Sequence, residues 1–416
     1  MQDTVQSPRV TPKASEETSD TELTALFDIG SASVGVSLVD IPKEADSPPY
    51  LRFCARIPFT FHEDLNFERF ESAMLKAFKE AAALLVKEGV QKRGIGSIFS
   101  GMTLDHIVCV FASSWTVVHT STLSAEYKKP TEITPARIGQ LLSQARTHFK
   151  TSSEVTDSEK LSSERYLLEE SILQVKLNEY VTHTPYGKTA SKVEVGLYLS
   201  MIARGVFEKI EHILEQTFNP RDIVTHSFLL ASFSVMRDLF PTEEDFILMD
   251  VGGEITDLAV IRDGMLMDTI SFPHGKNFVV RNIMKKTGAH HAQAESLITA
   301  HTEISPDVTH APKAHEGLAE AEDLWLSSFR DTLTTLSQSS ALPKTIFLTA
   351  DKVIDTWFLN IIRRDEFSKF TIVKQPFTVV PINRKQLTPY CHLASEKAFD
   401  SFLATEALFF HKTVLG

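Results

Sequence analysis

Two stretches of the 416-residue chain carry residues whose types and spacing could do chemistry. In "FILMDVGGEITDLAVIRDG" (246–264), an apolar run reaches Asp250. The Gly252-Gly253 pair follows, and a second apolar run opens at Thr256-Asp257. In "LTALFDIGSASVGVSLVD" (23–40), Asp28 precedes Gly30, Ser31, Ala32 and Ser33, again between apolar runs. Glycines let a backbone approach a ligand without steric cost. Successive amides in such a turn form a nest for anionic oxygen, to which Ser31, Ser33 and Thr256 could add hydroxyls. Asp28, Asp250 and Asp257 are candidate Mg²⁺ ligands, because that ion takes a few carboxylates and keeps several waters. Either stretch alone reads more readily as a tight turn between buried strands than as a site.

Both stretches must be held by strands, and the pattern around them supplies these. Residues 25–41 and 246–262 each read as a hairpin, and "PYLRFCARIPFTF" as a third strand beside the first. "FERFESAMLKAFKEAAALLVKEG" spaces apolar residues at helical intervals and stops at Gly89. Strands follow in 105–127, and a helix starts with Pro135 just inside it. "TSSEVTDSEKLSSE" (151–164) reads as a loop, and strands return over 167–203. Next come a helix (205–218), a short strand with a second helix (222–240), the second hairpin, another strand, and helices over 276–301. "EISPDVTHAPKAHEG" (303–317) interrupts the pattern before a helix from Leu318, a strand "TIFLTADKV", and a closing helix from about 394 to 410.

A net charge of −12 argues against a nucleic-acid binder, which needs clustered Lys and Arg. Cys54, Cys109 and Cys391 include no CxxC pair, which fits a reduced, cytoplasmic compartment without a disulfide framework or zinc site. No apolar run reaches the ~20 residues a membrane span needs. The N-terminal 1–22 is polar and is expected to be disordered. His290-His291 are adjacent and cannot act as i, i+4 ligands; His310 and His315 sit in polar sequence, and "GVQKRGIG" reads as a solvated turn.

Two hairpins at the heads of two similar α/β lobes resemble the actin-like ATPase superfamily, and within it the order of elements is similar to cell-division protein FtsA. "LNEYVTHTPYGKTASKVEVGLYLSMI", "THSFLLASFSVM" and "SFPHGKNFVVRNIMKKTGAHHAQAESL" carry that likeness, and the pilus-assembly protein PilM shares the plan. The resemblance implies a two-lobed fold with mixed sheets. It implies a first lobe at 23–225 with an inserted subdomain at roughly 65–220, a second lobe at 226–393, and a helix at 394–416 returning to the first lobe. It implies ATP with Mg²⁺ in the cleft: phosphates at the two hairpins, and Gly275, Glu295, Thr349 and Ala350 toward the nucleoside.

Several positions depart from the family pattern. Glu254 and Ile255 stand where the second motif has a third glycine and a hydroxyl residue, and Ser227 stands where an acidic residue usually orients the attacking water. Ala350 and Asp351 replace adenosine-side glycines, and Ile298 replaces a lysine. The implied function is therefore a cytoplasmic adaptor or filament-forming scaffold with a degenerate nucleotide cleft and little hydrolysis. A PilM-like type IV pilus assembly protein, or an active ATPase driving filament assembly, is the alternative. Implied partners are an FtsZ-like tail or the cytoplasmic tail of a membrane protein, and copies of the chain itself. Phe399, Phe402, Leu403 and Leu408 suit a core helix closing the first lobe, so membrane contact is expected only through a partner.

Overall fold

The computed structural model describes residues 21–44, 46–63, 66–91, 104–151, 164–303, 312–395 and 399–415. Residues 1–20 of the expected tail, most of the basic loop after Gly89, nearly all of the polar 151–164 stretch, and 304–311 with His310 lie outside them. Thr21 and Glu22 already belong to the first strand.

Strands β1 (Thr21–Ile29), β2 (Ser33–Pro42) and β3 (Tyr50–Pro58) form an antiparallel meander. Helix α1 (Phe67–Leu84) returns the chain to β4 (His106–Phe111), parallel to β1 on its other side. α1 starts where the Asn66 side chain accepts the Arg69 amide at 2.9 Å, a standard N-cap, and it buries Phe70, Met74, Ala77, Phe78 and Ala81 on one face. It does not stop at Gly89. The helix widens into a π-helical turn, Leu85–Gln91, that contains this glycine.

The chain then leaves the sheet. β5 (Thr116–Glu132), α2 (Pro135–Thr151), β6 (Arg165–Leu177), β7 (Tyr180–Val181) and β8 (Thr189–Ala203) build a four-stranded antiparallel sheet in the order β5-β8-β6-β7. Its small cores centre on Ile138, Val193 and Val195, and on Phe149, Leu199 and Met201. On the far side it meets the second lobe, where the Thr120 hydroxyl donates to the Met267 carbonyl at 2.9 Å. Helix α3 (Arg204–Phe218) packs with α1 on the first sheet, and β9 (Ile223–Ser227) extends that sheet parallel to β4.

Helix α4 (Phe228–Leu239) leads into the second lobe. Here β10 (Phe246–Val251), β11 (Thr256–Arg262) and β12 (Met265–Phe272) repeat the meander. Helices α5 (Lys276–Thr287), α6 (His291–Glu303) and α7 (Pro312–Leu336) follow, and β13 (Thr345–Ala350) lies parallel to β10, as β4 does to β1. Helix α8 (Asp355–Ile362), strand β14 (Thr378–Pro381) and the short α9 (Arg384–Leu387) complete this lobe. Strand β15 (His392–Leu393) and helix α10 (Ser401–Leu415) return to the first. The sheet orders are β15-β3-β2-β1-β4-β9 and β12-β11-β10-β13-β14.

One apolar cluster joins the lobes. It takes Leu26 and Val39 from the first sheet, Phe233 from α4, Ala404 and Ala407 from α10, and Phe246 and Phe347 from the second sheet. The β1 and β10 sequences read as continuous apolar runs because both faces are covered, as in buried sheets.

Two boundaries differ from the sequence reading. α7 begins at Pro312, so 312–317 is helical. Ala314, Gly317 and Ala321 are its small buried residues, and a Cβ on Gly317 would stand 3.1 Å from the Ile283 Cα of α5. Small residues that allow two helices to touch look like loop residues in a sequence. The closing helix starts at Ser401, several residues after the expected 394.

Candidate functional site

The two turns have the same internal geometry. The Gly30 amide donates to the Ser33 carbonyl at 3.1 Å, and the Gly252 amide to the Ile255 carbonyl at 3.0 Å. The turns also touch each other. The Glu254 amide donates to the Ser31 hydroxyl at 3.1 Å, and a Cβ on Gly253 would stand 2.1 Å from the Ala32 Cβ. On its other side the second turn caps α5: the Gly252 and Gly253 carbonyls accept the Lys276 and Asn277 amides at 2.9 and 2.8 Å. Gly275 fits because a Cβ there would come within 2.5 Å of the Gly252 carbonyl.

Between the lobes runs a cleft of about 760 Å³. Asp28, Gly30, Ser31, Ala32 and Ser33 border it from one side; Asp250, Gly252, Gly253, Asp257 and Ala350 border it from the other. Four expected residues stand back from it. Thr256 is buried and donates to the His274 carbonyl at 2.7 Å. Gly275 lies behind the second turn, Thr349 donates to Asp250 Oδ1 at 2.6 Å, and Glu295 pairs with Lys276.

Arg56 on β3 also lines the cleft. Its Nη2 donates to Asp28 Oδ2 at 2.7 Å and its Nη1 to the Ser33 hydroxyl at 3.0 Å. Its Nε donates to Asp400 Oδ2 at 2.7 Å, just before α10. Burial opposes ionisation of Asp400. The Arg56 charge and bonds, with the Phe402 and Leu403 amides, nonetheless hold that carboxyl below its ordinary range. Burial of Asp28 outweighs Arg56 and raises its pKa. Glu406, fully buried on α10, is pushed well above its ordinary carboxylate range by burial and then by the charge of Asp28.

Asp250 and Asp257 stand opposite each other across β10 and β11. Burial first, and Asp257 second, push Asp250 up to about 8. Asp257 is raised by burial while accepting bonds from the Ser113 and Ser271 hydroxyls. Toward the far end of the cleft, Lys276 Nζ bridges Asp351 at 2.9 Å and Glu295 at 3.1 Å. Ile298 is fully buried in the second-lobe core.

Glu254 points away from the cleft. Arg281 holds it at 2.7 and 2.8 Å, and Asn277 Nδ2 donates to it at 2.8 Å. Ser227 lies outside the cleft lining, with its hydroxyl donating to Glu169 Oε1 at 2.5 Å and 2.7 Å from the Tyr198 hydroxyl. His226 Nδ1 lies 2.9 Å from the other Glu169 oxygen. An acid therefore does reach the start of α4, but it comes from β6 and is buried.

As arranged, these side chains do not fit a magnesium-bound nucleotide. Asp28 is paired with Arg56, burial and Asp257 raise Asp250 to about 8, and Lys276 bridges Asp351 and Glu295. Among the described residues, no group of three or more His, Cys, Asp or Glu side chains is placed to hold a metal ion.

No protein-family model matches the chain, and no curated protein does. Solved structures do. A chain of the PilM–PilN type IV pilus biogenesis complex aligns with a TM-score of 0.58 at 14% identity, over 94% of this chain and 98% of that one. The ethanolamine utilization protein EutJ from Carboxydothermus hydrogenoformans gives 0.40 at 13% identity, over 93% and 89%. A Bacteroides thetaiotaomicron protein with an actin-like ATPase fold gives 0.40 at 9% identity, over 96% and 99%. With two hairpin-led mixed sheets facing each other over a cleft, and 98% of a chain from the PilM–PilN complex matched in shape, this chain has the two-lobed actin-like ATPase fold.

Proposed function

We propose that this protein is an actin-fold adaptor of the PilM type: a scaffold in envelope assembly that binds a protein segment and does not turn over nucleotide. The observation that carries the reading is Arg56, which spans Asp28 and Asp400 and so engages one of the three candidate metal ligands with a side chain of the protein's own. Lys276 likewise pairs with Glu295, one of the residues expected to face a nucleoside, and with Asp351. A Mg²⁺ ion taking Asp28 as a ligand would first have to displace Arg56, and separating that buried pair costs free energy. The likeness in shape to a PilM chain, itself solved as a PilM–PilN complex, supports a partner in pilus assembly over an FtsZ-like tail in division. No described helix is long and apolar enough to cross a membrane.

Equilibrium binding of a fluorescent ATP analogue, with and without Mg²⁺, tests the first half. Absence of binding at millimolar concentration supports the scaffold. Metal-dependent binding that Asp250→Ala abolishes would replace it with a nucleotide-gated filament. Co-expression with a PilN-type protein from the same genome tests the second half. Co-elution supports the PilM role, and separate elution of two folded proteins sinks it.

A further inference from the structure

Behind the paired hairpins lies a second space, distinct from the cleft but opening into it. It is a cavity of about 230 Å³ enclosed by β5, α4 and the strands of the second sheet. Its walls are apolar, with Val118, Phe228, Leu258 and Phe347 among them. Ser113, Phe228, Asp250, Asp257 and Ile382 border both spaces, so the carboxylate pair stands at the neck. A void of about 150 Å³ in an apolar core suffices for benzene. This one has room for a larger ring system.

Its polar groups are few, and their partners show what is missing. Asp250 is bonded by the Thr349 hydroxyl, and Asp257 by the hydroxyls of Ser113 and Ser271. Among the described residues, no Lys, Arg or His forms an ion pair with either carboxylate. Ser232 on α4 lines the cavity, is only 6% exposed, and its Oγ has no hydrogen-bond partner. A buried hydroxyl without a partner costs free energy, and so does a buried pair of facing acids with no cation between them to draw off the shared proton. Both costs fall on one space. Ligand pockets are built this way, from mostly apolar walls and a few placed polar groups.

We infer that this cavity binds a small ring-bearing ammonium compound, its cation at the Asp250–Asp257 neck and its ring against Phe228, Leu258 and Phe347. A hydrogen-bonding atom on the far side of the ring would satisfy Ser232. The inference is independent of whether the cleft takes a nucleotide, and it is tested with none present.

The probes are 1-naphthylmethylammonium, the neutral 1-naphthylmethanol and the anionic 1-naphthoate, titrated calorimetrically into the full chain. The ammonium probe is expected to bind at least about tenfold more tightly than the alcohol, since a charge-assisted bond to a carboxylate contributes that much. The naphthoate is not expected to bind. Asp257→Asn should erase the preference for the cation while leaving the alcohol's affinity in place. Ser232→Leu, which extends a side chain into the cavity, should abolish binding of both. Cooperative thermal unfolding of each variant confirms that it is folded. Equal affinities of ammonium and alcohol, or no binding of either to the folded wild type at millimolar concentration, would overturn the inference. So would unchanged binding in folded Ser232→Leu.

Discussion

Gly253 packs against Ala32 so tightly that a methyl group on the glycine would stand 2.1 Å from the alanine's own. The two hairpins therefore meet across the cleft, and glycine at 253 is required by contact between the lobes whether or not a phosphate ever approaches. Gly253→Val should destabilise the protein by about 1–3 kcal/mol through overpacking. Urea denaturation without nucleotide measures this. A variant as stable as the wild type would mean that the turns separate freely.

Arg56 bridges two acids at once, Asp28 at 4% side-chain exposure and Asp400 at 16%. Arg56→Ala leaves both without a cation and should cost about 3 kcal/mol, at the lower end for a broken buried pair because the guanidinium is partly exposed. The loss should be greater at pH 8 than at pH 5, where the orphaned acids can take up protons. A loss independent of pH would point to packing of the arginine stem instead.

Asp250 gives a pH signature of its own. Its folded pKa of about 8 lies above its ordinary value of 3.8, so the folded state holds a proton that the unfolded state releases between those values. The stability tied to that proton is fully present below about pH 4 and is lost as pH rises through about 8. Wild-type stability should thus fall relative to Asp250→Asn across this window, with a slope of at most about 1.4 kcal/mol per pH unit. Parallel stability curves for the two proteins would show that Asp250 is ionised at neutral pH.

Glu254→Gly restores the glycine that the family pattern has at this position, yet it should not restore a phosphate site. The side chain it removes is paired with Arg281 and Asn277, away from the cleft. The variant should lose about 2–3 kcal/mol and gain no affinity for the ATP analogue. Tighter nucleotide binding would show that Glu254 had been repelling it.

The hairpins and their order were legible because their signals are local: an apolar run, an acid, small residues and a second apolar run all lie within twenty positions. The start of α7 was not, because Ala314 and Gly317 were chosen by the approach of α5 and carry no helical stripe of their own. The main determinants of the candidate site were hidden for a related reason. Arg56 in "CARIP" and Glu169 in "LLEES" look like the solvent-facing members of alternating strands. Their roles appear only when distant segments arrive: Asp400 for Arg56, and Ser227 for Glu169. The direction of Glu254 is likewise fixed by Arg281, and nothing in the turn's own sequence indicates it.

The bridge from Arg56 to Asp400 spans 344 positions of the chain, which gives its formation a timetable. At roughly 5–20 residues per second, a ribosome emits Asp400 roughly 17–70 s after Arg56. Throughout that interval the nascent first lobe lacks both the acid that completes the Arg56 clamp and the helix that covers one face of β1 and β2. The earliest-made part of the molecule is thus among the last to reach its final state, and chaperones have their longest opportunity there.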